Sequence, residues 1–141
     1  MSRPGSLCAF EGAWIFEREI TDRRGASSGR VEGRAVYIAT PDGLAYEETG
    51  QMRLGQGAPM TATRRYLWKE GRAGRIAVFF EDGRAFHDFE LGAAAHGVHF
   101  CDPDTYKVAY DFENWPNWRV AWRVAGPAKD YKMVTLYRPA Q

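Results

Sequence analysis

All three histidines and one of the two cysteines of this 141-residue chain fall between Arg84 and Phe112. In RAFHDFELGAAAHGVHFCDPDTYKVAYDF the side chains able to do chemistry are His87, His96, His99, Cys101, Tyr106 and Tyr110. Imidazole with thiolate suits zinc. One inward imidazole, His87 or His99, would suffice as an axial ligand for haem iron. Cysteine beside histidine can act as nucleophile and base. Tyr, His or Glu48 in an enclosed space could run the acid–base steps of a cyclase or isomerase. The spacing withholds something from most of these. His87, His99 and Cys101 lack a fourth metal ligand, and His96 has the wrong parity to join His99 on one face of a strand. His99-x-Cys101 has no orienting third group. No local motif marks haem. The plain reading of each histidine is a hydrogen-bonded wall residue, and the sequence assigns neither a metal nor a cofactor.

The elements that must hold these side chains read as strands. Gly12 to Asp22 alternates, with Trp14, Phe16, Arg18 and Ile20 on one face. DRRGASSGR, residues 22–30, reads as a polar loop. Val31 to Thr40, Leu44 to Leu54, Thr61 to Lys69, Arg75 to Phe80 and Ala85 to Leu91 follow as strands, separated by Pro41-Asp42-Gly43, LGQGAP, Glu70-Gly71 and Asp82-Gly83. GAAAHG reads as a loose connection. His99 with Cys101, then Tyr106 to Phe112, Trp118 to Val124 and Tyr131 to Tyr137 complete the series. About ten short strands at regular spacing predict an all-β domain. A long antiparallel meander leaves two edges, and closure into an up-and-down barrel removes them. Helix is confined to one turn near the N-terminus and one at LGAAAH.

Length fits one domain, residues 1–141. The formal net charge is +1, with basic and acidic residues interleaved, so neither a nucleic-acid nor a membrane-surface partner is expected. No apolar run reaches membrane-spanning length, and MSRPGSLCAFEG has no stretch like a signal-peptide core. The expected compartment is cytoplasmic, with Cys8 and Cys101 as free thiols and the protein a monomer or homodimer.

Taking the face of Trp14 and Phe16 as inward, parity gathers a polar, aromatic lumen. Its expected ligand-binding residues are Arg18, Tyr46, Glu48, Arg64, Tyr66, Trp68, His87, His99, Cys101, Tyr106, Tyr110, Lys129 and Tyr131. Trp118 and Trp122 are assigned to packing. Buried charges need partners, and two arginines against Glu48 leave a positive surplus. A guanidinium fork suits carboxylate or phosphate. The leading function is therefore a small-molecule binding barrel for an anionic or partly aromatic ligand. The alternatives are a cyclase- or isomerase-type enzyme using the same cavity, and a filled barrel acting through protein–protein contacts.

Two ends of the chain resemble the calycin group, the lipocalins and their relatives. Gly12-Ala13-Trp14 resembles the lipocalin Gly-x-Trp, and Arg138 resembles the arginine that packs over that tryptophan. The whole chain is also similar to a family of bacterial proteins of unknown function with a lipocalin-like barrel. Trp14-x-Phe16-x-Arg18, Leu44-x-Tyr46-x-Glu48, Arg64-x-Tyr66-x-Trp68, Phe86-His87, His99-x-Cys101, Asp104-x-Tyr106 and Gly126-Pro127 carry that likeness. The resemblance implies the fold and no assigned activity.

Overall fold

The computed structural model describes residues 3–25, 27–92 and 94–140. Ten strands run in sequence: β1 (Gly12–Asp22), β2 (Ser27–Thr40), β3 (Gly43–Leu54), β4 (Met60–Glu70), β5 (Arg75–Phe80), β6 (Ala85–Glu90), β7 (Ala94–Cys101), β8 (Asp104–Asp111), β9 (Trp118–Ala125) and β10 (Asp130–Pro139). They form one antiparallel sheet in the order β6-β5-β4-β3-β2-β1-β10-β9-β8-β7. The β1–β10 ladder joins the ends of the chain, so the sheet rolls into the expected lipocalin-like barrel. Among the described residues no ladder joins β6 to β7. The two strands nevertheless touch: a Cβ on Gly97 would lie 2.7 Å from the carbonyl oxygen of Asp88.

Two stretches that read as loops are strand. Ser27 to Arg30 lack an apolar face, yet they pair with β1, and Gly29 and Arg30 pair with β3 as well. Ala94 to Gly97, at the site of the expected loose connection or helical turn, pair with Asp111 to Val108 of β8. In both places neighbouring strands override weak β propensity. The turn expected near the N-terminus exists, as a 3-10 turn over Leu7–Phe10.

That turn plugs one end of the barrel. The fully buried Phe10 ring lies 5.1 to 5.8 Å from the rings of Tyr37, Trp68, Phe112, Trp115 and Trp118. The Gly12-x-Trp14 motif has a local reason. Gly12 has φ 125°, which a side chain disfavours, and the chain then turns so that Trp14 Nε1 donates to the Phe10 carbonyl at 2.9 Å. Arg138 does not cover this tryptophan. It lies within β10, opposite Ile15, and its side chain is exposed on the outer face. Trp115 and Trp118 pack on Trp14 instead, at 5.5 and 6.0 Å.

Candidate ligand cavity

Arg18 and Glu48 meet inside the lumen, both about 95% buried. Arg18 Nη1 and Nη2 donate to Glu48 Oε2 and Oε1 at 2.7 and 2.8 Å, and Arg18 Nε donates to Thr135 Oγ1 at 2.8 Å. Tyr46 donates its hydroxyl to Glu48 Oε1 at 2.5 Å. That uses the Tyr46 proton, so the Tyr137 hydroxyl, 2.8 Å away, donates to Tyr46. Burial pushes the Glu48 carboxyl up, but the hydrogen bonds and charge of Arg18, with Tyr46 and Arg64, outweigh it and hold Glu48 below the usual range. Burial alone would favour a neutral Arg18; Glu48 reverses this and raises it. Burial raises Tyr37 and Tyr46 well above the ordinary phenol value and Tyr137 to about 12. The Arg18–Glu48 pair is charge-neutral, and each nitrogen of Arg18 donates one hydrogen bond within the network.

On the opposite wall His87 Nε2 lies 2.8 Å from the Tyr110 hydroxyl. Burial pushes this imidazole down to about 3, with Asp88 opposing and His99 adding, so His87 is neutral. Between the two walls lies a deep chamber of about 50 Å³, bordered by both networks, Tyr37, Trp68 and Trp118. Most of the lower lumen is therefore filled by side chains.

A second cavity, about 250 Å³, opens at the barrel mouth. Tyr66, Phe80, Phe86, His99, Cys101, Tyr106, Trp122, Tyr131, Met133 and Arg64 line it. Arg64, Tyr66, Phe86 and Trp122 border both cavities and separate them as one layer of side chains. Phe86 stacks on Trp122 at 5.0 Å with ring planes 1° apart, and Tyr66 stacks on Phe86 at 5.6 Å. Arg64 completes the layer, 4.0 Å from Glu48 Oε2 and 3.7 Å from Met133 Sδ, with its side chain 38% exposed. Its charge is thus the one in this layer that a strong partner does not neutralise.

The expected ligand-binding residues divide by depth. Arg18, Tyr46, Glu48, Trp68, His87 and Tyr110 border the chamber; His99, Cys101, Tyr106 and Tyr131 border the mouth; Arg64 and Tyr66 border both. Lys129 joins neither. It sits exposed on the β9–β10 turn, paired with Asp104 at 3.0 Å and 3.4 Å from the Tyr106 hydroxyl. It precedes β10, so strand parity does not govern where it points. Among the described residues no three His, Cys, Asp or Glu side chains come together as metal ligands.

Sequence parity missed Phe86, and the reason is a bulge. Val78 pairs with His87 and Phe79 with Ala85, leaving Phe86 as the extra residue. Consecutive Phe86 and His87 consequently both border the lumen. Thr135 and Tyr137 share the inward parity of Tyr131 and could have been found by the same rule, whereas Tyr37 lies on β2, which contributed no expected site residue. Trp118 and Trp122, assigned to packing, also border cavity space.

A family profile matches residues 10–139, that of a family of unknown function, DUF6314, and the chain belongs to it. No curated protein sequence matches. Among solved structures the chain is similar to the S-type phycobiliprotein lyase CPES from Guillardia theta, with a TM-score of 0.65 over 93% of this chain and 88% of that one. Sequence identity is 6%, so the likeness is one of fold. No helix among the described residues is long and apolar enough to cross a membrane.

Proposed function

We propose that this member of the family is a cytosolic small-molecule binding barrel whose ligand enters at the mouth and places an anionic group on Arg64. The observation that carries this is the unequal sharing of Glu48. Arg18 holds that carboxylate through two short hydrogen bonds, while Arg64 stands 4.0 Å off and half-exposed at the floor of an aromatic pocket. A guanidinium so placed is ready for a carboxylate or phosphate. Phe80, Phe86, Trp122 and Tyr66 give the mouth an aromatic lining for an apolar body, and His99, Tyr106 and Tyr131 add groups able to hydrogen-bond. At about 250 Å³ the mouth falls below the usual size of ligand sites, about 300–1,000 Å³, so a ligand held there is compact. Free thiols at Cys8 and Cys101 agree with a reducing compartment.

An acid–base enzyme is the weaker reading. Glu48 is held ionised by its partners, His87 is held neutral down to about 3, and burial raises the lumenal tyrosines, so none of these groups is poised to exchange protons near neutrality. The filled-barrel reading draws on the packed lower lumen and on the outer face of β7, where Phe100 is 75% and Val98 51% exposed.

Native mass spectrometry of protein purified from its own host tests the binding reading. A retained small molecule, lost in Arg64→Met, is the expected result. A wild-type mass equal to the bare chain, with no binding of anionic aromatic compounds in a screen, would move the assignment to the filled barrel.

A further inference from the structure

Arg138 does not cover Trp14, and what surrounds it instead is a groove of about 280 Å³ on the outside of the barrel. The groove lies against β1, β9 and β10 at the plugged end, beside the loop that joins β8 to β9. Ile15 and Leu136 supply apolar lining, Arg119 and Arg138 two guanidiniums, and Asn114 and Asn117 two carboxamides.

Strand pairing brings the first four together. Leu136 pairs with Arg119 of β9, and Arg138 pairs with Ile15 of β1. Arg119 and Arg138 are thus diagonal neighbours on one face, roughly 7–8 Å apart along the backbone. The loop is anchored from within. Phe112 is fully buried and Trp115 packs 5.5 Å from Trp14. The Trp115 and Asn117 amides donate to the carbonyls of Phe112 and Asn114 at 3.1 and 2.9 Å.

The charges do not cancel. Among the described residues neither Arg119 nor Arg138 has an ion-pair partner. Glu17 and Asp111 also border the groove, and both are engaged. Glu17 pairs with Arg30 at 3.4 Å, and Asp111 Oδ1 accepts from the Glu113 amide at 3.0 Å. With Glu17 answered by Arg30, two guanidiniums stand against one carboxylate, a surplus of one positive charge. A guanidinium fork matches a carboxylate, and one negative charge matches this surplus where a doubly charged phosphate exceeds it. Beside the cations Leu136 is 53% exposed, apolar surface that the fold itself leaves uncovered.

We propose that this groove is a second, external binding site, for a compact carboxylate with an apolar body. The carboxylate lies between Arg119 and Arg138, and the body lies against Ile15 and Leu136. The site stands apart from the mouth, since no residue borders both, and it does not depend on the function proposed above.

Benzoate, benzamide and acetate test it: benzamide keeps the shape of benzoate without its charge, and acetate keeps the charge without the body. Nitrogen-15 NMR of the whole chain reads the side-chain amides of Asn114 and Asn117. Benzoate should shift both saturably, benzamide should not, and acetate should bind more weakly. Arg119→Gln and Arg138→Gln should each weaken benzoate about fivefold. Leu136→Ala should weaken benzoate and leave acetate unchanged, and Arg64→Met, at the mouth, should change neither. The site is overturned by benzoate leaving both amides unmoved, by benzamide moving them as far, or by inorganic phosphate binding more tightly than benzoate. It is equally overturned by benzoate binding that survives the arginine or the leucine substitutions. Arg119, Arg138 and Leu136 are all exposed, so their variants keep the core intact, and the three wild-type titrations decide the matter without them.

Discussion

Arg18 on β1 and Glu48 on β3 form a bidentate ion pair across an intervening strand. On β2 between them, Val31 pairs with Arg18 and Ala35 with Glu48, and at Gly33 a Cβ would strike the Thr49 carbonyl oxygen. Breaking such a pair from one side strands a charge in low dielectric, at a cost of about 3–5 kcal/mol, whereas replacing both ends is far milder. Arg18→Met should therefore lose most of the protein's stability in urea denaturation, and Arg18→Met/Glu48→Met should regain much of it. Equal losses in the single and double variants would show that the carboxylate does not depend on this arginine.

Arg64 should behave oppositely. Its side chain is partly solvated and its contact with Glu48 is long, so Arg64→Met should cost no more than about 1 kcal/mol. The same substitution should abolish retention of an anionic ligand. A large drop in melting temperature would instead make Arg64 a structural partner of Glu48.

His87 should give the barrel an acid-sensitive limb. Its folded value is about 3 against an ordinary 6.5. The unfolded chain binds a proton below about 6.5 that the folded chain refuses, so stability is intact above that pH and falls as pH drops towards 3, by no more than about 5 kcal/mol. Glu48, held low when folded, adds to the loss only below the ordinary glutamate range, about 4.3. Urea midpoints should decline between pH 7 and 5 for the wild type and stay nearly level for His87→Phe. Parallel declines would place the titrating group elsewhere.

The two cysteines report on occupancy of the mouth. Cys8 and Cys101 are both exposed, and Cys101 borders the mouth cavity while Cys8 lies on the plug at the other end. Alkylation followed by peptide mass spectrometry should modify both in free protein. A bound ligand should slow Cys101 several-fold and leave Cys8 unchanged. Equal protection of both, or of neither, would put the ligand somewhere else.

Alternation in the sequence carried most of the wall and none of the depth. Trp14, Phe16 and Arg18 share a face by the two-residue period of a strand, and that face is buried. Parity is one bit per residue, however, and height along the barrel depends on strand stagger, which turns and pairing set. Hence Arg18 and Tyr106 read alike in sequence, though one borders the deep chamber and the other rims the opening. Phe86 escaped because an extra residue in β6 breaks the alternation at that point, and nothing in Ala85-Phe86-His87 announces it. Ser27 to Arg30 escaped for a different reason: pairing with β1, and for Gly29 and Arg30 with β3 as well, imposes a conformation their own side chains do not favour.

Among the described residues no ladder crosses from β6 to β7, so backbone pairing does not fix the girth of the cylinder along that line. Everywhere else the circumference is fixed by backbone pairing, so widening would break several amide bonds at once. Along this one line it is held by side-chain contact and by the close approach at Gly97. Phe86 stands on one bank and His99 on the other, with ring centroids 5.2 Å apart. Parting the banks would slide these rings from one another and enlarge the bore while leaving all nine ladders intact.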